Sequence, residues 1–152
     1  MTSILEGTQD GIEAERSNWM EFCANEIMDA TLWIKLLAVC EGRQAESLIL
    51  WDLIQSCRQL SGVQGAEVAL HNFFQRSANY YMRQYPAMKI LVSERSLARA
   101  NLMLAEKKFI ANKPVHRKVS AQIRIEWRQV ATALEGVDSG LPGLRFVQEC
   151  DK

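Results

Sequence analysis

The residues best suited to chemistry in this sequence are cationic side chains arranged around an aromatic ring. Arg76, Tyr80 and Arg83 follow one another at spacings of four and three residues. On a helix this spacing places all three side chains on one face, with the phenol ring between two guanidinium groups. Such a surface can stack on an unpaired base while the guanidinium groups hold phosphate. The triplet therefore predicts a contact with nucleic acid.

A second group of cations lies further along the chain. Residues 94–128 contain nine basic and three acidic residues, whereas residues 1–46 contain three basic and nine acidic residues. The chain is neutral as a whole, with 18 residues of each sign, but it is polarised along its length. This asymmetry indicates a polyanionic partner, or an acidic surface that docks on a basic one. The candidate binding residues in the basic block are Arg95, Arg99, Lys107, Lys108, Lys113, Arg117, Lys118, Arg124 and Arg128.

Helical phase aligns several of these cations. Arg95 and Arg99 form an i, i+4 pair on one predicted helix. On the next predicted helix, spacings of seven and four residues place three arginines on one face: Arg117, Arg124 and Arg128. Residues 113–118 join the two helices, so we expect a continuous basic strip. Three interpretations stay open for it, namely contact with nucleic acid, ion pairing with the acidic first helix of a neighbouring copy, and a solvated face without a specific role.

No pattern in the sequence predicts catalysis. His71 and His116 lack the histidine partner at i+4 and the cysteine partners that a metal site requires. Four cysteines are present, but none forms a C-x-x-C pair, and we interpret them as free, mostly buried thiols. The sequence contains neither a glycine-rich phosphate loop nor a nucleophile elbow. We therefore expect no enzyme activity, no cofactor and no metal.

Five amphipathic helices are predicted to position the basic residues, because apolar residues recur every three or four positions. Ser93 fits the N-cap of the fourth helix. Pro86 disfavours helical geometry at Tyr85 and ends the third. Residues 87–92 are predicted to be a turn, because no second strand is evident to pair with them. The predicted helices span residues 12–40, 45–60, 64–84, 94–111 and 118–134.

These segments predict an all-α protein, an antiparallel bundle of about five helices in a single domain over residues 1–152. Residues 1–10 and 137–152 are expected to be irregular. Hydrophobic residues make up 48% of the 152-residue chain, which is typical of a soluble domain with a core. No basic leader precedes an apolar stretch, and no apolar run approaches the ~20 residues of a membrane span. The sequence thus predicts a cytoplasmic protein without membrane contact.

A small helical protein with basic helix faces, no catalytic residues and an aromatic between arginines resembles the small subunits of type I CRISPR effector complexes. It looks in particular like those made from the end of a large-subunit gene. In that family several copies line the belly of the complex and contact the nucleic-acid backbone. The resemblance covers residues 12–134. It implies a non-catalytic subunit of a multi-subunit antiviral defence complex, which binds single-stranded DNA or a guide–target duplex.

The resemblance also implies partners, namely DNA or RNA, copies of the chain itself and larger protein subunits. Seven arginines are carried over as candidate contacts by charge and phase alone: Arg76, Arg83, Arg95, Arg99, Arg117, Arg124 and Arg128. The alternative function is that of a protein-interaction adaptor or inhibitor whose basic face docks on an acidic partner.

Overall fold

The computed structural model of the protein describes residues 2–113 and 121–140, with side chains at residues 11–113 and 121–137. The helices are α1 Thr2–Asn25, α2 Ala30–Val39, α3 Gln44–Gln64, α4 Ala66–His71, α5 Ala78–Gln84, α6 Glu94–Glu106 and α7 Trp127–Gly140. The strands are β1 Phe74–Gln75, β2 Ile110–Asn112 and β3 Gln122–Ile125. None of the described helices combines the length and the apolar composition that crossing a bilayer would demand.

α3 is the central helix of the fold. Its residues 46–50 are buried in succession, which is typical of a helix covered on every side. α3 packs against α2, α4 and α6, and it ends just before Gly65, which adopts a φ of 96° that favours glycine. This central position also buries two acids of α3, Glu46 and Asp52. Both must find cationic or hydroxyl partners on other elements.

A small antiparallel sheet lies beside the helices, with strand order β1-β3-β2. Phe74 pairs with Ile123, and Ile110 pairs with Ile125. Ile123 and Ile125 are buried, whereas Arg124 between them is partly exposed, and this alternation is the period of a half-buried strand. The protein is mostly helical as predicted, but the sheet contradicts a purely all-α fold.

The predicted fifth helix, residues 118–134, is wrong over β3. Ile123 and Trp127 have a four-residue spacing that predicts a helix, but Ile125 lies between them at the two-residue spacing of a strand. The β-branched isoleucines favour the strand. α7 begins only at Trp127, so Arg124 and Arg128 lie on different elements.

The predicted first helix, residues 12–40, consists of two helices. α1 ends at Asn25, and Asp29 is the N-cap of α2. The Asp29 carboxylate accepts hydrogen bonds from the backbone N–H groups of Thr31 at 3.0 Å and Leu32 at 3.4 Å. An aspartate that satisfies these free donors starts a new helix rather than continuing the old one.

The predicted third helix, residues 64–84, is replaced by α4, β1 and α5. Ser77 caps α5, since its hydroxyl accepts a hydrogen bond from the Tyr80 N–H at 3.1 Å. α5 ends at Gln84, before Pro86, as predicted. Residues 86–90 form a 3₁₀ turn that agrees with the predicted turn and leads towards α6.

α6 begins after Ser93 as predicted. Ser93 and Ser96 form a capping box, in which each hydroxyl accepts a hydrogen bond from the backbone N–H of the other residue, at 3.1 and 2.8 Å. The helix ends at Glu106 rather than at residue 111. Lys108 adopts a left-handed φ of 69°, which turns the chain into β2.

Helical structure extends further towards both ends than the sequence predicts. Residues 2–10 belong to α1 and residues 137–140 to α7, so the expectation of irregular structure is wrong there. Each residue added to an existing helix gains a backbone hydrogen bond, and a glycine such as Gly7 or Gly136 destabilises a helix by only about 1 kcal/mol. Residues 141–152 lie outside the described part of the chain.

Candidate nucleic-acid interface

The pair Arg76 and Tyr80 lies in a polar cluster around Asp52, whose side chain is 1% exposed. The Arg76 Nε donates a hydrogen bond to Asp52 Oδ2 at 2.7 Å, and its Nη2 donates to Ser56 Oγ at 2.9 Å. The hydroxyls of Tyr80 and Tyr85 both donate to Asp52 Oδ1 at 2.7 Å. The predicted exposed triplet of Arg76, Tyr80 and Arg83 is therefore not formed, because its first two members satisfy a buried acid.

The environment of Asp52 keeps its tyrosine donors protonated. Burial raises the pKa of Tyr80 to about 12, and the hydrogen bond to Asp52 and the charge of that carboxylate act in the same direction. Burial likewise raises the pKa of Tyr85. The Arg76 guanidinium also lies over the Tyr80 ring, 4.0 Å from its centroid. These groups form a structural cluster, while Arg83 remains exposed on α5.

α6 presents the clearest exposed basic face among the described elements. Leu97, Ala100 and Leu104 are buried on its inner face. Arg95 and Arg99 lie one turn apart on the opposite face, and both are exposed. Neither guanidinium forms an ion pair with any residue that the structure describes. The predicted i, i+4 pair thus lies on a solvent-facing helix surface.

A groove of about 840 Å³ lies between α6 and the connection from α2 to α3. Arg95 and Arg99 line one wall, and Arg43 lines the other. Arg43 is 47% exposed on its side chain, and its ion-pair contacts with described residues are long, at 3.6 Å to Glu46 and 3.8 Å to Glu41. Sequence reasoning missed Arg43 because it lies within the acidic block, and only the tertiary fold brings it to α6.

Lys107 and Lys108 are adjacent in sequence but have different surroundings. The Lys107 Nζ donates a hydrogen bond to Glu46 Oε1 at 3.0 Å, and the Glu46 side chain is 2% exposed. Lys108 is exposed, and with Arg128 it lines a groove that also contains the acids Glu15 and Glu126. Lys107 therefore neutralises a buried carboxylate, and the Lys108 groove has mixed charge.

Three other candidates lie on the sheet and on α7. Lys113 and Arg124 both lie over the ring of Phe73, with Nζ 5.9 Å and Cζ 5.0 Å from its centroid. Arg128 is 67% exposed and lies 3.9 Å from Glu15 of α1. The predicted arginine face of the fifth helix is therefore not formed. Its third member, Arg117, and Lys118 of the predicted basic connection lie outside the described residues.

The structure describes three of the four cysteines that the sequence predicts to be free, mostly buried thiols. Burial raises the pKa of Cys40 to about 11 and that of Cys57 to about 12, and Cys23 is half-buried with a pKa that burial also raises. These three thiols are free. Within residues 11–113 and 121–137, no cluster of three histidine, cysteine, aspartate or glutamate side chains could hold a metal ion.

Comparison with known proteins identifies no relative of this chain. No protein-family model matches it, and neither a curated protein nor a solved structure shows significant similarity. The candidate interface is accordingly defined by its own geometry: Arg95 and Arg99 on the exposed face of α6, with Arg43 across the groove.

Proposed function

We propose that the chain is a non-catalytic nucleic-acid-binding protein that places the exposed face of α6 in the major groove of duplex DNA. The observation that carries this proposal is the pair Arg95 and Arg99, exposed one turn apart without ion-pair partners among the described residues. An unpaired guanidinium on a rigid helix can bind phosphate, or bind a guanine edge through two hydrogen bonds.

The order of elements around α6 supports the proposal. α5 and α6 are two helices joined by the turn of residues 85–93, and the strands β2 and β3 follow α6 as an antiparallel pair. With β1 as the third strand, this is the topology of a winged helix–turn–helix. In helix–turn–helix proteins the second helix enters the major groove, and its N-terminal residues contact base edges. Arg95 is the second residue of α6, and Arg99 is one turn further along.

Arg43 adds a third cation beside the same helix. Because Lys107 already pairs with Glu46 at 3.0 Å, the charge of that buried acid is neutralised without Arg43. The positive charges of three arginines around one groove then complement the negative charge of a phosphodiester backbone. Membership of a CRISPR effector complex, with larger protein subunits as partners, stays a prediction of the sequence resemblance.

Titration of a fluorescently labelled duplex DNA with the protein, followed by fluorescence polarisation at several salt concentrations, tests this function. We expect the double variant Arg95→Gln, Arg99→Gln to lose about 1–3 kcal/mol of binding free energy per base-contacting arginine. Where the arginines contact phosphate, the slope of affinity against salt decreases by about one per arginine. Arg16→Gln is the matched control, since Arg16 is an exposed helical arginine on α1.

Two results would overturn the proposal. One is the absence of duplex binding by the wild-type protein at low salt, where release of counterions favours it most. The other is an equal loss of affinity in the Arg16→Gln control and in the α6 variant.

A second copy of the chain is the other candidate partner for this face. Leu91, which is 53% exposed, lines the arginine groove, and Leu102 on α6 is 70% exposed. Protein interfaces use such apolar residues, whereas phosphate backbones do not. α1 offers exposed carboxylates at Glu13 and Glu21. Sedimentation equilibrium would detect this association as a mass that rises with concentration at low salt, and a monomer at all concentrations would exclude it.

A further inference from the structure

The outer face of the three-stranded sheet is a second surface with a defined set of side chains. Ile123 and Ile125 of β3 are buried on the inner face. Side chains of successive strand residues alternate between faces, so Gln122 and Arg124 lie on the outer face. Cross-strand partners share a face, which places Gln75 beside Gln122 and Ala111 beside Arg124. This outer face is polar, and Gln75 is exposed.

Phe73 brings an aromatic ring to the same face. It precedes Phe74, which pairs with Ile123, so continuing the antiparallel register puts Phe73 opposite Arg124. The Arg124 guanidinium lies over the Phe73 ring at 5.0 Å from its centroid, and the Lys113 ammonium lies at 5.9 Å. Lys113 is exposed and Phe73 is half-buried. An aromatic ring and two cations therefore converge on the outer face of the sheet, with Phe73 next to β1, Arg124 on β3 and Lys113 next to β2.

The charges on this outer face suit an anionic ligand with a flat ring. Arg124 Nη2 also donates to Glu126 at 2.8 Å, which offsets part of its charge, but no described acid pairs with Lys113. Aromatic rings and guanidinium planes stack on nucleobases, and adjacent cations hold the backbone. Gln75 and Gln122 add amide donors and acceptors for base edges.

We infer that this outer face, defined by Phe73, Lys113 and Arg124, binds an unpaired segment of nucleic acid by stacking a base on the aromatic–guanidinium pair. The inference rests on the proposed function and extends its substrate class, because a base inside a duplex is already stacked between its neighbours and does not reach the ring. Asn101 of α6 donates a hydrogen bond to Asn112 of β2 at 3.1 Å, which ties α6 to the sheet. The substrate is then a duplex with an adjoining single strand.

Fluorescence polarisation with two labelled DNAs tests the inference. One is a short blunt duplex, and the other is the same duplex with an unpaired extension of roughly five nucleotides. We expect the extension to increase the affinity of the wild-type protein by about fivefold to a hundredfold, the effect of stacking one base. Phe73→Leu should remove the part of this increase that comes from stacking and leave the affinity for the blunt duplex unchanged.

Phe74→Leu is the matched control, because Phe74 is the adjacent residue and pairs with Ile123 on the inner face of the sheet. It should keep the benefit of the extension. A third DNA, with an extension of the same length that lacks bases, makes the test independent of any variant. It should bind more weakly than the extension with bases, because it keeps the phosphates but has no base to stack on Phe73.

The outcomes separate the two proposals. If the blunt duplex binds but neither extension adds affinity, the stacking site is refuted and the proposed function stands. Equal affinity for the extensions with and without bases also refutes stacking, since only the backbone is then bound. If the protein binds single strands through Phe73 but not the duplex at low salt, the inference holds and the role proposed for α6 fails.

Discussion

Arg76 with Tyr80 and Arg95 with Arg99 have the same four-residue spacing in the sequence, but their surroundings are opposite. Arg76 is 13% exposed on its side chain and is bonded to Asp52, whereas Arg95 and Arg99 are exposed. This difference in exposure is caused by a residue of α3 and not by the arginines themselves. α3 carries a buried acid that needs donors, and the donors nearest to it are held in its hydrogen bonds rather than presented to a ligand.

The comparison separates cations that stabilise the fold from cations that are available to a ligand. A buried carboxylate that loses a partner leaves an uncompensated charge in a poorly polarisable interior. When an exposed cation is removed, water takes its place and no buried charge is left unpaired. Stability measurements on matched substitutions should therefore divide the basic residues into two classes.

The largest expected effect is that of Arg76→Met. This change keeps much of the side-chain volume but removes the ion pair with Asp52 at 2.7 Å. We expect a loss of about 3–5 kcal/mol in the free energy of unfolding, measured by urea denaturation. Arg95→Met should change it by less than about 0.5 kcal/mol.

A second variant keeps this prediction testable if Arg76→Met does not fold. Adding Asp52→Asn to Arg76→Met removes the uncompensated charge and should restore part of the stability. Equal stabilities of Arg76→Met and Arg95→Met would show that the Asp52 cluster does not stabilise the fold.

The adjacent lysines Lys107 and Lys108 provide a smaller version of the same contrast. Lys107→Met removes the hydrogen bond to Glu46, which is 2% exposed, and leaves that acid with the 3.6 Å contact to Arg43. We expect a loss of about 1–3 kcal/mol in the free energy of unfolding. Lys108→Met should have an effect within about 0.5 kcal/mol. Urea denaturation of both variants measures the difference, and a larger effect at Lys108 would contradict the assignment.

The sequence predicted part of this fold because local signals agreed with tertiary structure in some segments. Ser93 starts α6 and Pro86 follows the end of α5, and both signals act through neighbouring backbone atoms. The strands escaped prediction because each has four residues or fewer, and the spacing of Ile123 and Trp127 fits a helix equally well. The pairing register of the strands depends on contacts between residues that are distant in sequence. The spacing of apolar residues carries no information about those contacts.

The candidate site was predictable to a similar extent. The exposure of Arg95 and Arg99 follows from helical phase, since Leu97, Ala100 and Leu104 define the buried face of α6. Helical phase gave no sign that Asp52 lies within 2.7 Å of Arg76. It also gave no sign that Arg43 crosses to α6, since its neighbours in sequence are acidic. Pairing between buried charges is a tertiary property, and it decides which cations remain for a partner.

The smallest expected effect is a dependence of stability on alkaline pH. Burial and Asp52 raise the pKa of Tyr80 from 10.0 to about 12 in the folded protein. The folded state then holds the phenolic proton more tightly than the unfolded state, so the stabilisation is complete below pH 10 and decreases as the pH rises towards 12. Tyr80→Phe should flatten part of the fall in unfolding free energy over this range, because it removes one of the two phenols that donate to Asp52, while Tyr85 keeps its own contribution. Arg99→Gln should leave the fall as steep as in the wild type, and identical slopes in wild type and Tyr80→Phe would place the titrating group elsewhere.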